Sequence, residues 1–191
     1  MVLPIVAYGS DILRKKAVEI APDYAGLEQF IADMWETMYA SNGVGLAAPQ
    51  VNRNIRLFVV DSEQIFRNRE EDEETYPDDP GTKQVFINAR IEGTEGGLWP
   101  YNEGCLSIPK IREDINRAEA VTLTYMDEQF QQHTRTFNGV TGRIILHEYD
   151  HTEGKLFIDY LSPLKRRMLK RKLEDISKGL VKTDYRMVFN K

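Results

Sequence analysis

The hydrophobic positions in the first half of the chain predict one amphipathic helix and two buried strands. Between residues 27 and 39 the apolar side chains recur every three or four positions, so they share one helix face, and Asn42-Gly43 ends the helix. The runs 56–60 and 85–87 are short and apolar, which predicts two buried strands. The acidic, proline-containing run 70–81 lies between them and predicts a solvated loop, because it offers little apolar surface to bury.

The second half of the chain predicts a hairpin followed by two helices. Residues 121–125 alternate between apolar and polar, and 132–137 can pair with them across a turn at Asp127-Glu128. A helix is predicted over 140–152, closed by a glycine at 154, and another over 163–179, where Ser162 precedes a proline. Strands and helices do not alternate as βαβ units, so the predicted class is α+β. With 191 residues we expect one domain, 1–191, in which 163–191 form a helical extension.

Composition and the amino terminus indicate a soluble protein of a reducing compartment. Hydrophobic residues make up 41% of the chain and charged residues 29%, which is typical of a globular domain. No apolar run reaches the length of a membrane span, and the first residues do not resemble a secretory signal. Cys105 is the only cysteine, which excludes an intramolecular disulfide. We therefore expect a cytoplasmic protein with no membrane partner.

The net charge of −5 conceals a strong asymmetry along the chain. Residues 165–191 contain ten Lys/Arg and three Asp/Glu, a local balance of +7, whereas the remainder carries −12. A basic tail on an acidic body indicates either a partner with negative charge or an amphipathic helix whose charges lie in water.

The strongest chemical motif is HEYDH at 147–151, within the predicted helix 140–152. On a helix His147 and His151 lie one turn apart on the same face, so both imidazoles can bind one metal ion. Glu148 is then placed to accept a proton from water on that metal. The third histidine, His133, lies in the predicted hairpin and is interpreted as a surface residue.

A catalytic metal site needs a third protein ligand, and three positions in the sequence can be weighed for it. Phe157 occupies the position of the third histidine in the metzincin pattern, so that pattern fails. Glu174 has a spacing suited to a thermolysin-like protease, although its basic neighbours explain it as an ion-pair partner. Cys105, in the segment EGCLS at 103–107, would complete a His₂Cys site. Without the two histidines, a lone cysteine would be interpreted as a small buried hydrophobic residue. A catalytic nucleophile is a further alternative. The glycine and proline neighbours of Cys105 predict a constrained loop there.

The segment GVGLAAPQ at 43–50 is rich in small residues and ends in an amide side chain. It lacks the spacing of a phosphate-binding loop. Its glycines and alanines indicate backbone that another group approaches closely, and Gln50 could donate a hydrogen bond to a developing oxyanion.

Together, GVGLAAPQ, EGCLS and HEYDH resemble, in order and spacing, the three signature motifs of the peptide deformylases, and the resemblance extends over about residues 5–163. It implies mixed and antiparallel sheets around a central metal-binding helix. It also implies a metallohydrolase that removes the N-formyl group from formylmethionine on nascent polypeptides and releases formate. The metal implied is Fe²⁺, for which Ni²⁺, Co²⁺ or Zn²⁺ can substitute. Residues 63–83 resemble an insertion relative to the shortest members.

The resemblance also implies a role for each matching position. Cys105, His147 and His151 would bind the metal, whose bound water attacks the formyl carbon, and Glu148 would act as acid and base. Further roles are implied for Gln50 and the amide of Leu106, which would hold the oxyanion, and for a set of substrate-binding residues: Val44, Gly45, Arg112, Val140 and Ile144. Of these, Val44 and Gly45 would pair with the substrate backbone as an added strand does.

Two other functions compete with this interpretation. One is a zinc endopeptidase that uses Glu174, and the other is a structural metal site on an RNA-binding module. The basic tail is compatible with a ribosome contact, since members with such a helix are expected to bind near the exit tunnel, where Lys and Arg attract RNA phosphates.

Overall fold

The computed structural model describes residues 1–67 and 81–189. Within them, no helix is both long and apolar enough to cross a membrane. The longer helices and the strands follow in this order: β1 (Ile5–Val6), α1 (Leu27–Ala40), β2 (Gly45–Ala47), β3 (Leu57–Asp61), α2 (Glu63–Arg67), β4 (Lys83–Cys105), β5 (Ile108–Met126), β6 (Gln132–Asn138), α3 (Gly139–Thr152), α4 (Pro163–Ser177) and β7 (Met187–Val188). Short 3₁₀ turns cover Asp11–Arg14, Ala48–Val51 and Phe157–Tyr160.

The sheets place the two ends of the described chain side by side. Strands β2 to β6 form an antiparallel sheet in sequence order, and β1 pairs in parallel with β7. The long hairpin of β4 and β5 closes where Cys105 pairs with Ile108, leaving Leu106 and Ser107 as its turn. This tight turn carries the cysteine to one end of the sheet.

Helices cover both faces of the central sheet. The side chains of β3 alternate between the faces, as those of any strand do. Leu57 and Val59 pack into the cluster that contains the apolar face of α1, while Phe58 and Val60 pack into the cluster of α3. Burial on both faces explains why β3 has a continuous apolar sequence rather than an alternating one.

Helix α3 is central to the molecule, since every residue in it except Gly139 and Tyr149 is buried. Helix α4 is different: its Leu169, Leu173 and Ile176 pack into a third cluster, and its basic residues face outward. The α+β class and the main helices are thus confirmed, although α4 ends at Ser177, two residues before the predicted end.

Two local predictions need correction, and a third falls mostly outside the described residues. The strand predicted over 85–87 lies near the start of the much longer β4. The prediction was too short because residues 92–98 of β4 are exposed and lack an apolar pattern. Cys105 is the last residue of that strand and not part of a loop. Glu63–Arg67, at the start of the region resembling an insertion, form the short helix α2, while residues 70–80 of the predicted acidic loop lie outside the described residues.

Candidate active site

Three parts of the fold meet at one end of the sheet. Helix α3 presents His147, Glu148 and His151, and the end of β4 presents Cys105. Gln50 belongs to the 3₁₀ turn that follows β2. The site is therefore assembled from segments that are more than forty residues apart in the sequence, each held by regular structure.

Cys105, His147 and His151 form a compact donor set. One ligand atom from each of the three residues lies within 4.8 Å of the others. Cys105 Sγ is 3.3 Å from His151 Nε2, and Nδ1 of His147 faces the carboxylate of Glu103, which leaves its Nε2 for a metal. Two imidazoles and a thiolate suit a tetrahedral or five-coordinate divalent cation with an open position. The residues present therefore fit a catalytic metal ion.

A buried network of charges orients His147. Glu103 Oε2 lies 2.9 Å from His147 Nδ1, and its carboxylate accepts hydrogen bonds from Arg117 and Arg143. Burial alone would raise the pKa of Glu103, but its hydrogen bonds with His147 and Arg117 hold it at about 2. Arg117 also donates to Asp150 on α3. A fixed carboxylate behind a metal-binding histidine sets its tautomer and ring orientation.

Glu148 lies in a different environment from Glu103. It is only 5% exposed, and none of the described residues forms a hydrogen bond with its Oε2. Burial raises the pKa of Glu148 to about 7. A carboxyl group with such a pKa can both accept and return a proton near neutral pH.

Gln50 is fixed with its amide nitrogen toward the donor set. Its Oε1 accepts a hydrogen bond of 2.9 Å from the amide of Ala47. Its Nε2 lies 3.4 Å from Cys105 Sγ and 3.3 Å from Ser107 Oγ. The side chain is thus anchored by its oxygen and leaves its donor at the site.

A cavity of about 360 Å³ opens onto these groups. Most residues predicted for the site line it: Val44, Gly45, Gln50, Cys105, Leu106, Arg112, His147 and Glu148. An adjoining cavity of about 250 Å³ shares several of them and adds Ile144. Val140 lies deeper, packed in the core of α3 at 1% exposure, and is not among the residues that line either cavity.

Known proteins match this chain over most of its length. Residues 2–167 match the family model for polypeptide deformylases. The chain belongs to the peptide deformylase family. Peptide deformylases are hydrolases that remove the N-formyl group from nascent peptides.

Relatives and solved structures cover nearly the whole chain. The peptide deformylases of Christiangramia forsetii and Flavobacterium johnsoniae are each 48% identical to it over 189 residues, covering 99% of this chain and 96% of each relative. The crystal structure of a peptide deformylase from Legionella pneumophila is similar with a TM-score of 0.78 and 34% identity, covering 94% of this chain and 98% of that one. A plant peptide deformylase structure has a TM-score of 0.80 at 30% identity and covers 96% of both chains.

Two residues outside the deformylase motifs have ordinary structural surroundings. Glu174, the ligand considered for a protease, lies on α4 with Lys170 as its ion-pair partner at 3.9 Å and borders a different cavity. His133 is partly exposed, as expected, but it does have a partner, because its Nε2 lies 2.6 Å from Asp127 Oδ2.

Sequence reasoning missed the residues behind the site. Glu103 stands in the EGCLS segment but received no role of its own, and Arg117 and Arg143 received none at all. These residues contact one another between strands and a helix, so no fixed sequence spacing predicts the contacts. The one available signal was the charge of Glu103, two residues before the proposed ligand Cys105.

Proposed function

We propose that Cys105, His147 and His151 hold the metal ion of this deformylase and that Glu148 is its general acid and base. The observation that carries the assignment is the position of Glu148, buried beside the donor set with one carboxylate oxygen free of hydrogen bonds among the described residues. A divalent cation bound there would supply an activated water and polarise the formyl oxygen. Glu148 accepts the proton of the attacking water and returns it to the amine nitrogen as formate leaves.

The same proposal assigns the developing negative charge to two donors. Gln50 and Leu106 border the cavity, and Gln50 Nε2 and the backbone amide of Leu106 would stabilise the oxyanion of the tetrahedral intermediate. Gln50 needs no reorganisation for this, because its oxygen is already held by Ala47.

Substrate binding is proposed along the edge of the sheet. Within the described residues β2 pairs with β3 alone, and Val44 and Gly45 border the cavity, so a peptide in extended form can add a strand there. Ile144 and Arg112 would form walls of the methionine pocket. Val140 would contribute indirectly, by packing in the core with Ile144, which lies one turn further along α3.

The product of the reaction tests this function. The enzyme, purified without oxygen, is expected to release formate from formyl-Met-Ala-Ser and to leave the internal peptide bonds intact. Cleavage of an internal bond that is lost in Glu174→Gln would instead support the endopeptidase alternative.

We propose Fe²⁺ as the resident metal, with Ni²⁺, Co²⁺ or Zn²⁺ able to replace it. A His₂Cys donor set accepts all four ions, so the proposal rests on the family rather than on ligand softness. Metal analysis of protein purified without oxygen tests it, with one iron per chain expected and zinc in its place the contrary result.

The basic tail is proposed as a contact with ribosomal RNA, in a single cytoplasmic catalytic domain of which 163–191 form an extension. The basic residues of α4 are exposed while its apolar residues are buried, which supports a charged docking face. Co-sedimentation with ribosomes tests the contact: neutralising Arg166, Arg167, Arg171 and Lys172 to Gln should weaken binding and its salt dependence. Lys15→Gln, elsewhere on the surface, is the control, and equal binding by both variants would contradict the proposal.

A further inference from the structure

The chain after α4 returns to the active-site cavity. Residues 182–185 border this cavity together with Cys105 and Glu148. The segment is held from its far end, because β7 pairs with β1: Ile5 N donates to Arg186 O at 2.9 Å and Ala7 N to Val188 O at 2.8 Å. The tail therefore reaches the cavity as a fixed segment.

Tyr185 connects this segment to the turn that follows Cys105. Its hydroxyl donates a hydrogen bond of 2.8 Å to the backbone carbonyl of Leu106. Its own carbonyl accepts from Thr183 Oγ1 at 2.7 Å. The partly buried rings and chains of Tyr185, Leu106 and Met187 pack against the same core cluster. The hydroxyl is thus held in place by packing as well as by its bond.

Leu106 and Ser107 are the turn between β4 and β5, directly after the ligand Cys105. The Ser107 carbonyl accepts a hydrogen bond of 2.8 Å from Tyr8 N. The two carbonyls of the turn are therefore fixed by two separate segments, one before and one after the catalytic elements. A turn with both carbonyls held has little freedom to rotate its peptide planes.

We infer that residues 182–185 are part of the active site and that Tyr185 is a positioning residue, which acts through the Leu106 carbonyl to hold the turn that bears Cys105 and the Leu106 amide. This inference rests on the deformylase mechanism proposed above. It gives the tail a role at the catalytic centre that is separate from the charged face of α4.

Tyr185→Phe in the full-length enzyme removes the hydroxyl and keeps the ring. We expect kcat for formyl-Met-Ala-Ser, per bound metal, to fall by about three- to ten-fold with KM little changed, as suits the loss of one hydrogen bond that orients reacting groups. The absorption bands of the Co²⁺-loaded enzyme are expected to shift, since they report the ligand field around the thiolate. Tyr24→Phe is the matched control, because Tyr24 packs against the same core cluster but does not border the cavity.

The outcomes separate this inference from the proposed function. If the wild type releases no formate, the proposed function fails. If the wild type is active and Tyr185→Phe keeps both its kcat per bound metal and its cobalt spectrum, the positioning role is overturned, even if the melting temperature falls. Melting temperature and metal content, measured for both variants, show that each is folded and loaded.

Discussion

The backbone of Gly45 lies directly against the carboxylate of Glu148. A Cβ atom added to Gly45 would be 2.5 Å from Glu148 Oε1 and 2.8 Å from its Cδ, closer than real side chains allow. The first and third motifs are thus in contact, and the glycine gives Glu148 room to face the metal ligands.

Gly45→Ala is expected to displace Glu148 and to lower kcat/KM by about a hundredfold, the effect of a misplacement of about 1 Å at a reacting group. Metal content should stay unchanged, because the ligands lie on other residues. Gly93→Ala is the control, since nothing lies within 4 Å of a Cβ at that position. An alanine at 45 that keeps wild-type kinetics would refute the close contact.

Glu103→Gln is expected to weaken both metal binding and the fold. It removes the charge that pairs with Arg117 and Arg143 in a buried network and that orients His147. Metal affinity should fall by about 10- to 100-fold, as when a residue behind a metal ligand is removed. The free energy of unfolding should fall by about 3 kcal/mol, because the buried guanidinium of Arg143 loses the carboxylate with which it pairs. Metal titration and urea unfolding measure the two effects.

Glu19→Gln provides the comparison for that variant. Glu19 pairs with Arg90 on the surface, where both side chains are largely exposed, so the change should cost less than about 1 kcal/mol. Equal losses in the two variants would argue against the buried network as the support of His147.

Removing the metal is expected to destabilise the wild type. A ligand that binds only the folded protein stabilises it by about 2.7 kcal/mol at a concentration one hundred times its Kd. A chelator should therefore lower the melting temperature of the wild type and abolish formate release until metal is restored. Cys105→Ser, which weakens the proposed donor set, should respond much less to the chelator. A wild-type enzyme whose melting temperature and formate release do not change with the chelator would contradict the proposed site.

Gln50 offers a test of the proposed oxyanion donor. Gln50→Ala should lower kcat by about 10²- to 10³-fold, the usual cost of losing such a donor. Gln50→Glu keeps an oxygen for the Ala47 amide but lacks the donor, so it should be equally impaired. Recovery of activity in Gln50→Glu would indicate that the side chain serves only to hold its turn.

The sequence predicted the elements whose burial is periodic and missed those without it. Helix α1 and strand β3 have apolar patterns dictated by the core, and both lie where they were expected. Residues 92–98 in the middle of β4 are exposed, and register shifts such as that between Glu95 and Leu98 break the alternation of its side chains. Without an apolar pattern, only the pairing with β5 reveals that the chain there is a strand.

The site divides in the same way. His147, Glu148 and His151 are recognisable because helix geometry relates their spacing to their positions in space. Cys105 is favoured as the third ligand because a thiolate completes a His₂Cys site beside two histidines, and the family motifs imply the same role. Glu103 and Arg117 meet across the β4–β5 hairpin, and Tyr185 arrives from the far end of the described chain. Contacts of this kind depend on tertiary structure and leave no local signal.

In the proposed mechanism Glu148 transfers the proton during deformylation, and formate release by Glu148→Gln at measured metal content tests this role. Glutamine has nearly the same shape but cannot accept the proton, so we expect kcat to fall by about 10²- to 10⁴-fold while the metal is retained. Glu148→Ala should behave alike. Wild-type formate release by a metal-loaded Glu148→Gln enzyme would contradict the mechanism.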